Sequence, residues 1–192
     1  VLTISKTQSM LQFRRAMMIL LLFPLFNACK EPLKAKDGTV FKTPADYNDY
    51  IISRQTKVIR NIIELGNKAG ISADTAYALL NKFSAQADSV ISEIKGMPPY
   101  RADSAFRNAA IRSFDFYKRL FDKNYRDILA IRLKGGDATE EGVKEIMDIT
   151  EKIKREEEEL DKELHSAQTV FAQKYNMAMR PNAIQKEIDK KN

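Results

Sequence analysis

The side chains through which this chain could do chemistry are few: one cysteine, Cys29, one histidine, His165, and the acidic run Glu156-Glu157-Glu158-Glu159 with Asp161 and Glu163. A di-iron carboxylate centre in a helical bundle takes two Glu-x-x-His units and further inward glutamates. His165 stands three residues after Lys162, so that motif fails. One histidine and one cysteine do not assemble a zinc cluster either. The acidic run lacks the alternating oxygen ligands and glycine of a calcium loop, and on a helix such a run reads as a solvated face. Cysteine–histidine catalysis would require Cys29 to meet His165, and no glycine-rich elbow presents a serine nucleophile. Phosphate-cradling glycine patterns are missing from the sequence. The sequence therefore predicts no catalytic residue, no metal site and no cofactor, with His165 a partly exposed helix residue without a role.

Nucleic-acid chemistry has a closer imitation. Arg101, Arg107, Arg112, Lys118, Arg119, Lys123 and Arg126 lie among Phe106, Phe114, Tyr117 and Phe121, the mixture of cations and rings that strand-binding surfaces use. Asp115, Asp122 and Asp127 interrupt it, and the aromatics recur at helical spacing, which predicts core. No nucleic-acid partner is expected.

The setting of Cys29 is the strongest signal. Arg14 and Arg15 precede an uninterrupted apolar run, Ala16 to Phe26, of 11 residues, and Asn27-Ala28-Cys29 follow. As a helix such a run covers only about half of a ~30 Å hydrocarbon core, too short to span but right for the centre of a secretory signal. Pro24 breaks it near the expected cleavage point between Ala28 and Cys29. Phe26-Asn27-Ala28-Cys29 resembles the lipobox of bacterial lipoproteins, with Phe26 where that pattern favours leucine. The resemblance implies that Cys29 receives a diacylglycerol thioether, becomes the mature amino terminus and is acylated there with palmitate-type chains. The expected location is the bacterial cell envelope, in the outer membrane at its periplasmic face or the cell surface, with the membrane itself the partner of the lipid on Cys29. The residues around Arg14-Arg15 do not carry the rest of a twin-arginine signal, so ordinary export is expected. Met10 would open a signal of ordinary shape, with residues 1–9 preceding the true start. Residues 1–28 hold Lys6, Arg14 and Arg15 and no acid, so their removal lowers the formal charge from +6 to +3. A balance that small argues weakly for any polyanionic partner, and a single cysteine leaves no internal disulfide to stabilise the fold.

These features need a scaffold, and the rest of the chain predicts an all-α one. Lys30 to Gly38, polar and broken by Pro32 and Gly38, reads as part of a flexible tether over 29–42. A bundle domain is predicted over 43–180, with a polar tail over 181–192. The first helix starts at Thr43-Pro44-Ala45-Asp46, where Thr43 caps, Pro44 suits the first turn and Asp46 suits the positive end of the helix. Tyr47, Ile51, Val58, Ile62 and Leu65 form its buried face, and Gly70 ends it. Ser72 caps the second helix, which buries Ala76, Leu80, Phe83, Ala87, Val90 or Ile91, and Ile94 and closes at Gly96. The third runs from Asp103 to Lys134 on Phe106, Ala110, Phe114, Tyr117, Phe121 and Ile128, and Gly135-Gly136 stops it. The fourth begins near 137–139 and continues to about Met179, with Val143, Ile146, Thr150, Ile153, Leu160, Leu164, Ala167 and Phe171 in heptad spacing. At about 42 residues it would be about 60 Å long and outrun its neighbours.

Short turns between four amphipathic helices predict an antiparallel, up-down-up-down four-helix bundle with a long fourth helix. Residues 101–134 carry nine basic and four acidic side chains, and 137–165 carry five and twelve, so the last two helices are predicted to pair. Gly96-Met97-Pro98-Pro99-Tyr100, Phe106-Arg107-Asn108-Ala109-Ala110-Ile111, Phe114-Asp115-Phe116-Tyr117 and Phe171-Ala172-Gln173-Lys174-Tyr175-Asn176 resemble, in this order and over most of the mature chain, a family of surface lipoproteins from spirochaetes and Bacteroidetes. That family has no assigned activity, so the resemblance carries no catalytic residue across. The function expected is a non-enzymatic, lipid-anchored contact with another protein or envelope component, centred on the long fourth helix. The alternative is a ligand- or metal-binding lipoprotein, which requires a cavity between helices with converging polar groups. A hydrolase would require a cleft holding serine or paired acids of perturbed pKa.

Overall fold

The computed structural model describes residues 32–68 and 71–179, and the expected signal, its cleavage point at Ala28 and Cys29, Gly70 and the tail 181–192 lie outside the described residues. The described chain is an antiparallel bundle of four helical rods with one small hairpin. Helix α1 is Pro44–Gly66 and α2 is Ala73–Lys95. The third rod is α3 (Ala105–Arg119), a π-helical turn (Leu120–Asn124) and α4 (Tyr125–Leu133), and the fourth is α5 (Glu140–Lys174). Helix α2 packs between α1 and α3, and α3 packs along α5. Contact between α1 and α5 is made near the N-terminus of α1, where Tyr47 stacks on Phe171 and Gln168 donates to Asn48 at 2.7 Å.

The folded domain begins before the first helix. Leu33–Lys34 (β1) and Val40–Phe41 (β2) pair antiparallel, Leu33 opposite Phe41, with Gly38 in left-handed backbone at the turn. Most of the stretch expected to be tether is thus ordered. Its small apolar content explains why: Ala35 and Phe41 are buried, and Phe41 meets Tyr47 and Tyr50 edge-on. Tyr50 donates to Asp37 at 2.6 Å, and the Lys36 amide donates to the Gly96 carbonyl at 3.0 Å. Gly96 keeps ordinary helical backbone; its lack of a side chain matters because a Cβ there would stand 3.2 Å from Lys36 Cβ.

Both expected N-caps form. Thr43 Oγ1 accepts from the Asp46 amide and the Asp46 carboxylate accepts from the Thr43 amide at 2.8 Å, a reciprocal capping box. Ser72 accepts from Thr75. Helix α1 stops at Gly66 rather than Gly70, with Asn67 closing it onto Ile63. Past Leu65 the next position on the same face is Lys68, which is exposed, so there is nothing further to bury. Helix α5 ends at Lys174, short of Met179. The Met177 amide donates to Ala172 and that of Asn176 to Gln173, with Asn176 at φ 51°, which is a Schellman closure with asparagine at the left-handed position.

The turn between α2 and α3 is strained. Arg101 and Ala102 both have positive φ, 48° and 68°, and Tyr100 and Asp103 exchange two backbone bonds of 2.9 Å around them. This is a type I′ arrangement, which normally takes Asn-Gly. Neighbours hold it in place: Tyr175 donates to the Tyr100 carbonyl, Lys174 pairs with Asp103 at 2.7 Å, and Tyr47 donates to the Pro98 carbonyl. Left-handed backbone costs a non-glycine residue about 1–2 kcal/mol, part of which glycine's larger unfolded-state entropy offsets. Ala102→Gly is therefore expected to stabilise the protein by about 0.5–1 kcal/mol, read as a higher urea midpoint.

Candidate binding cleft

The two ends of the bundle are built differently. At the end holding the N-terminus of α1, the C-terminus of α2, the N-terminus of α3 and the C-terminus of α5, rings fill the core. Phe171 touches Tyr47, Tyr100, Phe106 and Tyr175 there, with centroids 4.8–5.6 Å apart. Burial pushes the Tyr47 hydroxyl up to about 12. Phe114, Tyr117 and Phe121 continue the core along the third rod, so the aromatics expected to be core are core.

The cations interleaved with them serve the fold. Arg112 pairs with Glu163 and Arg119 with Glu156, joining α3 to α5 as the opposite charges of the two segments predict. Lys118 and Lys123 pair with Asp122 and Asp127 one turn on, Arg107 donates to the Met97 carbonyl, and Arg126 reaches Asn81. Arg101 lies near the rings of Tyr100 and Tyr175. Exposed pairs of this kind are each worth about 0–1 kcal/mol, so they select the neighbour more than they stabilise it.

The acidic run is divided by the helix that carries it. Glu156 and Glu163 face the arginines of α3, and His165 is exposed. Glu157 is half-buried, and burial, with Asp161 and Glu158 nearby, holds its carboxyl above the usual range. Burial raises the pKa values of the Tyr117 hydroxyl and of the half-buried Tyr125, with the charges of Asp161 and Glu157 adding to it at Tyr117 and that of Glu157 at Tyr125. Among the described residues no three metal-ligating side chains come together.

These carboxyls set a pH dependence. Asp37 is held low by the Tyr50 hydroxyl, Asp103 by Lys174 and Asp46 by the Thr43 amide, so their contributions are present above about pH 4 and lost as pH falls through the lowered native values. Glu157 works the other way. Its raised native pKa means the folded chain keeps a proton that the unfolded chain has shed, so stability falls as pH rises from about 4.3 through the native value. The urea midpoint is expected to peak in mildly acid solution, and Glu157→Gln to flatten the decline on the alkaline side.

At the opposite end the core is open. About 27 Å along α1 from Tyr47, the rise of 18 helical residues, a cleft of about 570 Å³ lies between the C-terminus of α1, the N-terminus of α2, α4 and the first half of α5. Ile62 and Leu65, Ile71, Ala76 and Leu80, Tyr125, Ile128 and Leu129, and Ile146 line it; Lys68, Arg132 and Thr150 supply its polar side chains. The cleft exists because α5, at 35 residues, outruns α1 and α2, at 23 each. The apolar stripe of α5 continues where they have stopped, leaving Val143 and Met147 exposed.

Two features of this end escape the sequence pattern. The π-helical turn at Leu120–Asn124 adds a residue to one turn of the third rod, so the inward face passes from Phe121 to Tyr125 and Leu129 and leaves the expected Ile128 only in the cleft wall. Gly142, buried in the first turn of α5, meets the backbone of Gly136. Adjacent buried Leu120 and Phe121 are the one sequence signal for the first, and nothing in the periodicity marks the second.

No family model, curated protein or solved structure matches this chain.

Proposed function

We propose that this protein is a lipid-anchored component of the bacterial envelope, non-enzymatic, that acts by contact through the end of the bundle formed by α4 and α5. The observation that carries the contact reading is the exposure of Leu133, Val143 and Met147 where these two elements outrun the rest. Val143 and Met147 stand one turn apart on α5, and exposed apolar side chains sharing a helix face suit association with a partner. The order arginine–apolar run–Cys29 supports the anchor, and among the described residues no helix is long and apolar enough to cross a membrane. Mass spectrometry of protein extracted from membranes is expected to find Cys29 amino-terminal and diacylated or triacylated, and cross-linking from Met147 in intact cells to capture a partner. An unmodified Cys29 would overturn the anchor.

A second reading, a ligand-binding lipoprotein, is favoured by the cleft itself. Its volume lies within the range of small-molecule sites. A metal is the less suited ligand, since the lining offers isoleucine and leucine rather than carboxylates or imidazoles.

A further inference from the structure

The composition of the cleft selects a ligand more narrowly than its volume does. Helix α5 is densely acidic where it borders the cleft, with Glu140, Glu141, Glu145, Asp148 and Glu151, yet it turns only Ile146 and Thr150 into the lining. The charged side chains that do line it, Lys68 and Arg132, are both cationic. Lys68 is engaged with Glu64 at 3.4 Å. Arg132 differs from Arg112 and Arg119 on the same rod: among the described residues it has no ion-pair partner. The π-helical turn aims it. Tyr125, Ile128, Leu129 and Arg132, spaced as one helical face, enter the cleft together, and π turns recur where a helix is re-aimed for function.

We propose that the cleft binds a free long-chain carboxylate, its alkyl chain laid among Leu65, Leu80, Leu129 and Ile146 and its carboxylate paired with Arg132. The inference rests on the ligand-binding reading and gives that site a substrate class. Arginine suits a carboxylate because its planar fork donates two parallel hydrogen bonds. Thr150 donates its hydroxyl proton to the Ile146 carbonyl at 2.8 Å, so it turns a lone pair outward and does not compete for the anion.

The test uses the full chain carrying Cys29→Ser in detergent-free buffer, with cis-parinaric acid, a fluorescent long-chain carboxylate, and its methyl ester as probes. Saturable binding of one acid per chain is expected, abolished by Ile146→Trp, which fills the cleft from a half-exposed position. Arg132→Gln is expected to weaken the acid by about tenfold and leave the ester unchanged. Circular dichroism confirms that each variant is folded. Equal loss of acid and ester in Arg132→Gln, or acid binding that survives Ile146→Trp, overturns the proposal. If the ester binds saturably and the acid does not, the carboxylate assignment falls while the cleft stands as an apolar site. If neither probe binds, the ligand-binding reading falls with it.

Discussion

Replacing Phe171 by alanine is expected to cost about 3–5 kcal/mol, the range for truncating a buried aromatic. Phe171 is 3 % exposed and touches four other rings, which come from three other parts of the chain: Tyr47 from α1, Tyr100 and Phe106 from the turn and start of α3, and Tyr175 from the closing turn of α5. Each such pair adds about 0.5–1.5 kcal/mol beyond area burial, and the strained turn at Arg101-Ala102 depends on the same neighbours. A domain of this size has only about 5–15 kcal/mol in hand. The melting temperature should fall by roughly 6–20 °C, taking about 2–4 °C per kcal/mol. Val170→Ala, one residue away but exposed, should move it little, within about 0.5 kcal/mol. If the two variants behave alike, the aromatic end is not the packed core described here.

The contrast between the two ends also explains what the sequence could tell. Four rods, both helix caps and the aromatic face were legible because each rests on a local pattern: Thr43 three residues before Asp46, Ser72 before an apolar stripe, rings at helical spacing. The pairing of the third and fourth rods was legible from charge, and Arg112–Glu163 and Arg119–Glu156 realise it. The hairpin over 33–41 was not, because two two-residue strands have no periodicity and their order comes from contacts with Tyr47, Tyr50 and Gly96, distant in the chain. The cleft was invisible for a related reason. It arises from the lengths at which four elements stop, and Ile62, Leu65 and Ile146 carry the same pattern whether a neighbour covers them or not. Cys29, the most informative residue in the sequence, lies outside the described residues, so the described fold does not test it.

Gly142→Ala should have the second large effect, and its sign decides between two roles for a glycine. In a first helical turn alanine would ordinarily gain about 1 kcal/mol over glycine. Here a Cβ on Gly142 would stand 2.2 Å from the Gly136 carbonyl oxygen and 2.6 Å from Gly136 Cα, backbone atoms that cannot swing aside. The same turn holds the N-cap of α5, where the Gly142 amide donates to Thr139 Oγ1 at 3.1 Å. Overpacking costs about 1–3 kcal/mol and a lost cap about 0.5–2, so together they exceed the propensity gain. Gly136 is hemmed in likewise, with Ile131 Cγ2 2.5 Å from its would-be Cβ, whereas Gly135, at φ 78° with open space around it, is needed for conformation alone. Because α4 and the first half of α5 bury little, the damage should stay local. Hydrogen exchange is expected to quicken over residues 133–150 while residues 80–120 keep their protection. Arg132 and Ile146 sit on the two arms that this contact joins, so the same variant should weaken parinaric acid binding without unfolding the aromatic end. A Gly142→Ala protein more stable than its parent would show that the arms do not meet at Gly136, and the cleft wall they form would fall with that contact.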